Sequence, residues 1–263
     1  MTIASAGRPR PADESSAGQP PSEPHAEPDV STALPDAVLR PVREGNAFEA
    51  TVEQLATSVR LGVFERGERL PPERELAERL GVSRTTLREA IGALRQAGMV
   101  ETRRGRGGGT VITYVGEAVQ PLRTSGAQLH DALDFRAVVE PGAAALAATR
   151  DLSAQQRAWL VRCRAEVESA ADVNAHRVAD SRLHLAIATL SGSELLVGAV
   201  THVQSLVREM LAAIPVLGPN IAHSNAQHRQ VVDAVLSGDP EAARVAMEEH
   251  CSATSALLRG LLG

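Results

Sequence analysis

Four side chains have the types and the spacing to share one metal ion. Asp180 and His184 stand four residues apart in ADSRLHLAIATL, so on a helix they project from the same face. His228 and His250 lie 11 residues before and 11 residues after Asp239, which sits in the turn signal SGDPEA. In an antiparallel helical hairpin folded about that turn the two histidines stand level. Eleven residues is also close to three turns of about 3.6, so both face the same way relative to the turn. Three imidazoles and a carboxylate suit a divalent first-row ion with coordination positions left open, and zinc, nickel and manganese all match that donor set. Spacing alone leaves a plainer reading open, since polar pairs at i,i+4 are common on helix surfaces. Core packing, however, gives no reason for three histidines and an aspartate to converge.

A second constellation suits a polyanion. In PPERELAERLGVSRTTLREAIGALRQAGMV, Leu76, Ala77 and Leu80 form one apolar stripe, and Leu87, Ile91 and Leu94 form another. Gly81 between them supplies the permissive backbone that a tight inter-helix turn needs. Ser83 is a natural N-cap, so the first turn after it presents Arg84, Thr85, Thr86 and Arg88. That is the end of a recognition helix that reaches base edges and phosphates of double-stranded DNA. Arginine matches guanine O6 and N7, and threonine bonds a phosphate or touches a thymine methyl. The alternative is a surface hairpin with solvated arginines. Glycine, cap and polar first turn in combination weigh against it.

These side chains need elements to hold them. Helices are expected over roughly 47–62, 73–80 and 84–97, then two short strands near 99–103 and 110–113 joined by the turn RGRGGG. Beyond about residue 113 the periodicity is helical throughout, with about six helices between Leu129 and Leu262. Ser153 and Gln156 match a capping box, and Asp239-Pro240 is an N-cap followed by a proline at the first helical position. The fold class expected is mainly α: an N-terminal winged helix-turn-helix of three helices plus a small β-wing, followed by an all-α helical bundle. The boundaries expected are a Pro-rich tail at 1–41, disordered and dispensable for folding, a DNA-binding domain at 42–113, a linker at 114–127 and an effector, metal and dimerisation domain at 128–263.

Composition narrows the chemistry. The chain has 263 residues, net charge -5 and only 2% aromatics, so its core must be built from Ala, Leu, Val and Ile. All 27 basic residues are Arg. A chain without lysine has no Schiff-base lysine, phosphate-loop lysine or lysine nucleophile. Residues 42–113 are the most basic part, at net +2, against -4 for 114–263 and -3 for the tail. Cys163 and Cys251 are isolated, which argues against a disulfide framework or a cysteine-rich zinc site. The N-terminus lacks an apolar signal-peptide core, and no apolar run approaches the roughly 18 residues that span a bilayer. A cytoplasmic protein with no membrane partner is expected.

The stretch LPPERELAERLGVSRTTLREAIGALRQAGMVETRRGRGGG resembles the winged helix-turn-helix of the GntR family of bacterial transcription regulators nearly position by position. The resemblance implies a DNA contact for Arg74 on the second helix and major-groove positions for Arg84, Thr85, Thr86 and Arg88. It also implies wing contacts for Arg104, Gly105 and Arg106; the run Gly107 to Gly109 is longer than the family's usual wing. FRAVVEPGAAALAA, ADSRLHLAIATLSGS and AQHRQVVDAVLSGDPEAARVAMEEH resemble the all-helical FCD ligand-binding domain of the FadR-type branch. Metal-binding members carry ligands at the positions of Asp180, His184, His228 and His250. Arg136 matches an arginine that faces the effector cavity in similar proteins; an i,i+4 ion pair with Glu140 is the other reading of it. Leu183 and Gln227 stand where an aromatic and an acid are often found.

The function expected is therefore a transcriptional regulator, a repressor and not an enzyme, that binds a palindromic operator as a homodimer. Its helical domain would sense a small carboxylate effector at a metal-containing pocket. A metal-dependent hydrolase or oxygenase fused to a DNA-binding module is the alternative. Against that stand the missing general base, G-x-S-x-G motif and glycine-rich nucleotide loop. A constitutive architectural DNA binder is a third possibility.

Overall fold

A computed structural model describes residue 1 and residues 30–42, 47–103, 109–114, 126–214 and 218–262 of the chain. The DNA-reading part is built from α2 (Ala47–Arg60), α3 (Glu73–Leu80), α4 (Arg84–Gln96), β1 (Val100–Arg103) and β2 (Gly109–Ile112). Leu76, Ala77 and Leu80 of α3 and Leu87, Ile91 and Leu94 of α4 are buried, as the two stripes require. Gly81 ends α3 at φ 63°, left-handed backbone that a Cβ disfavours, and the Val82 amide returns to the Ala77 carbonyl at 3.0 Å. The strands are antiparallel, with Val100 opposite Ile112 and Arg103 opposite Gly109. Residues 67–70 add a further rung that periodicity does not reveal. The Ile112 amide bonds the Glu68 carbonyl, and the Leu70 amide bonds the Thr110 carbonyl, each at 2.9 Å.

The helical domain comprises α5 (Gly126–Ala148), α6 (Ala154–Glu168), α7 (Val173–Leu190), α8 (Glu194–Ala212), α9 (Gly218–Ser237) and α10 (Pro240–Leu262). α5 is central, in contact with α7, α8, α9 and α10. Ala143, Ala144 and Ala147 are buried on it, and side chains this small let neighbouring helices approach closely. The capping box forms: the Gln156 amide donates to Ser153 Oγ, and the Ser153 amide donates to Gln156 Oε1. α9 and α10 form the hairpin, turning at Gly238 with φ 73°, and Asp239 Oδ1 accepts from the Ala242 amide at 2.9 Å. Among the described residues no helix is long and apolar enough to cross a membrane.

The expectation of a disordered tail fails for its last part. Residues Val30–Val38 form a further helix, α1, that lies against α6, α7 and α8. Leu34, Val38 and Leu39 are buried there. Proline and acid content averaged over 41 residues hides this short apolar stripe, which finds tertiary surface to cover. Residues 2–29 of that expected segment lie outside the described residues. The stretch after α1 ties the two parts of the molecule together. Arg40 pairs with Glu194 of α8 at 2.7 Å, Asp36 pairs with Arg79 of α3, and the Val42 amide donates to the Leu80 carbonyl at 2.8 Å.

α7 makes a second connection. Gly62, just after α2, has φ 72°, and a Cβ there would stand 2.5 Å from Val178 Cγ1 of α7. Glycine is needed for both the backbone and the close approach. One turn further along α7, Arg182 pairs with Glu65 and lies 3.6 Å from Glu166.

Candidate functional site

The DNA-facing group stands in solvent at the start of α4. Ser83, Arg84, Thr85 and Arg88 are exposed, and Thr86 is half-buried. Ser83 Oγ accepts from the Thr86 amide at 3.0 Å, and the two hydroxyls lie 2.8 Å apart. Those hydroxyls thus serve the cap first. Arg84 has no ion pair among the described residues, whereas Arg88 Nε donates to Glu73 Oε2 at 2.7 Å and Arg74 lies 3.6 Å from Glu78. Exposed pairs of this kind contribute little and are readily exchanged for phosphate. Arg104, Gly105 and Arg106 lie outside the described residues. Arg103, on the strand before them, is exposed and 3.7 Å from Glu101.

The histidines are arranged in the opposite way. α7 carries Asp180 and His184, α9 carries His228, and α10 carries His250. The ring centroids lie 5.4 Å apart for His184 and His228, 5.1 Å for His184 and His250, and 4.5 Å for His228 and His250. One ring nitrogen from each falls within 4.8 Å of the others, and Asp180 Oδ1 is 3.4 Å from His228 Nε2. All three rings are buried. Burial pushes His228 down to about 4, with Asp180 opposing the shift, and it lowers His250 as well. Both rings are therefore neutral at neutral pH, the form that ligates metal. Both nitrogens of His184 and of His228 lack an aligned hydrogen-bond partner. Orphaned buried nitrogens are costly unless something completes them. A divalent cation fits this donor set.

Sequence reasoning recorded Glu140 only as a partner for Arg136; its environment is richer. Arg136 Nε donates to Glu140 Oε2 at 3.0 Å, Gln204 Nε2 of α8 donates to Glu140 Oε1 at 2.6 Å, and the Cys251 thiol lies 3.5 Å from Oε2. His184 Nδ1 is 2.9 Å from the same Oε2, at hydrogen-bond distance although the ring is turned off alignment. Burial alone would raise the Glu140 carboxyl, but Arg136 and His184 hold it well below the usual carboxylate range. A buried carboxylate behind a ligating imidazole orients the ring and leaves its other nitrogen for the metal. No sequence signal pointed to Gln204, which lies 64 residues from Glu140. Gln227 is buried too, with Oε1 3.3 Å from His250 Nδ1, and Leu183 is packed in the core.

Beside the histidines lies a cavity of about 220 Å³, with Arg136, Asp180, Gln227 and His250 in its wall. Arg136 Nη1 is buried and unpartnered even though Nε is engaged by Glu140. The two readings of Arg136, ion pair and cavity residue, are thus compatible.

Two family models match the chain. "Bacterial regulatory proteins, gntR family" covers residues 48–111 and "FCD domain" covers residues 131–253. A putative HTH-type transcriptional regulator, RmpR of Mycobacterium gastri, is 32% identical over 83% of this chain and 82% of its own length. The putative L-lactate dehydrogenase operon regulatory protein of Escherichia coli is 35% identical over 72% of this chain and 77% of that protein. The Glc operon transcriptional activator of the same species is 32% identical over 77% and 85%.

Proposed function

Since the chain belongs to the GntR family of bacterial regulatory proteins and carries an FCD domain, we propose that it is an effector-gated repressor. As a member of that family it is a DNA-binding transcriptional regulator and not an enzyme. In the proposal it works in the cytoplasm as a homodimer on a palindromic operator, because two copies of one small winged module double the contacts. Residues 42–113 bind DNA through Arg74, Ser83, Arg84, Thr85, Thr86 and Arg88, with Arg104, Gly105 and Arg106 in the wing. Residues 114–127 are the linker, and 128–263 hold effector, metal and dimer interface.

The observation that carries the effector reading is the convergence of three neutral, buried imidazoles on one point beside a cavity with a free arginine nitrogen. Asp180, His184, His228 and His250 would hold zinc, nickel or manganese. The ion's contribution is a fixed positive charge with open positions for a carboxylate. Arg136 pairs with the remainder of the acid's charge. One relative's name ties that protein to an L-lactate dehydrogenase operon, which supports a small organic acid as effector class here.

α7 offers the route to DNA. His176, Arg177 and Asp180 face the cavity, while Val178 abuts Gly62 and Arg182 pairs with Glu65 beside the DNA-binding module. An effector that favours one seating of α7 changes operator affinity by the difference in its affinity for the two seatings. Elemental analysis of the full chain beside His228→Ala and His250→Ala, followed by operator binding with candidate acids, tests this. About one metal per chain, lost in both variants together with the acid response, is the expected result. A parent protein that purifies and reconstitutes without metal overturns it.

A further inference from the structure

The same cavity holds positive charge that a single carboxylate leaves unanswered. Its wall follows a stripe of α7, Val173, His176, Arg177 and Asp180, at intervals of three and four residues. Asp180 is at the histidine end, and Arg177 lies one turn, about 5.4 Å of helix, towards the other end. Arg177 Nη2 donates to the Leu211 carbonyl at 2.6 Å, and its charge is disfavoured by burial and by the neighbouring Arg208 of α8. Arg208 Nη1 is itself buried without a partner.

Among the described residues neither guanidinium has an acidic partner. That sets them apart within the domain, where Arg164, Arg182, Arg229, Arg244 and Arg259 each face a carboxylate. The acids nearest the cavity are already engaged. Asp180 lies against His228, and Glu140 is taken by Arg136, Gln204 and His184. The segment 215–219 (PVLGP), which follows Ile214 in the cavity wall, contains no acid. Two adjacent like charges held together at partial burial are unfavourable unless an anion is bound.

We propose that Arg177 and Arg208 form a second anion subsite, so that the effector carries two acidic groups, one at the histidine end and one about a helical turn away. The ligand class is a short dicarboxylate or a phosphorylated carboxylic acid; both present a second anion at that span. His176 and His223 flank the subsite in the cavity wall and supply further hydrogen-bond donors. The inference rests on the reading of this cavity as the effector site, and it narrows that reading from any small acid to a dianionic one.

The test is calorimetric titration of metal-loaded, full-length protein with lactate, succinate and 3-phosphoglycerate, repeated on Arg177→Gln and Arg208→Gln. At least one dianion should bind about tenfold or more tighter than lactate, a margin expected of charge-assisted contacts. Each substitution should erase most of that margin while changing lactate affinity less than about twofold. Melting temperatures of both variants without ligand establish that they fold, and either variant alone suffices. Succinate against 3-phosphoglycerate separates the two sources of the second anion. Lactate binding as tightly as both dianions, or variants that weaken all three acids equally, overturns the second subsite and leaves the effector site standing. If none of the three acids binds, both readings fall.

Discussion

At the start of α4, Arg84 and Arg88 stand in solvent, supplied by six consecutive residues that need only a helix cap to be presented. In the helical domain, His184, His228 and His250 are 1–2% exposed, and three helices must pack before any two of them meet. The DNA-reading surface is therefore complete as a free surface, and its arginines wait in weak, exchangeable contacts such as that of Arg88 with Glu73. The interior site is under tension until something binds, because its buried ring nitrogens have no aligned partners. One region spends affinity on its ligand without affecting stability; in the other, ligand and stability are coupled.

The sharpest way to break that contrast is to remove the metal. An ion present at a thousand times its dissociation constant stabilises the state that binds it by about 4 kcal/mol. Calorimetry of metal-loaded and chelator-treated protein should show that loss, and hydrogen exchange should confine it to α7, α9 and α10. Identical melting curves would erase the distinction between the two regions. The chelated protein should also be sensitive to acid. His228 sits near 4 when folded against an ordinary 6.5, so the unfolded chain takes up the proton first. Stability is then intact above about pH 6.5 and falls as pH drops towards 4. The metal-loaded protein should hold steady further into that window.

Deleting residues 1–41 should cost on the order of 2–3 kcal/mol, since Leu34, Val38 and Leu39 lose their cover. Deleting residues 1–29 should leave the melting temperature in place. Equal effects from both truncations would show that α1 is no part of the scaffold. Arg84→Ala or Arg88→Ala should weaken operator binding by about 1–3 kcal/mol with no change in melting temperature. A drop in stability there would mean that the surface is not independent of the fold. The smallest effect belongs to Glu73→Ala, which frees Arg88 and should tighten operator binding by less than about 1 kcal/mol at low salt. Measuring it across a salt series gives a further check, as phosphate contacts weaken with rising salt.

Much of this was legible before folding because its causes are local. Gly81, Ser83 and the apolar spacing of Leu76 through Leu94 settle a helix-turn-helix within 19 residues. Ser153 with Gln156, and Asp239 with Pro240, set helix starts for the same reason. Even the pairing of His228 with His250 was readable, because a hairpin with a marked turn converts equal spacing into proximity. Tertiary structure decided the rest. Composition could not show that Leu34 and Val38 find a surface on α6, α7 and α8, because the partners lie more than a hundred residues away. Nor could spacing join Gln204 to Glu140, or set Arg177 beside Arg208, since neither pair shares an element. Helical periodicity says which face of a helix is buried. Only packing says which other helix it meets, and so whether a buried charge is answered, left over, or poised for a ligand.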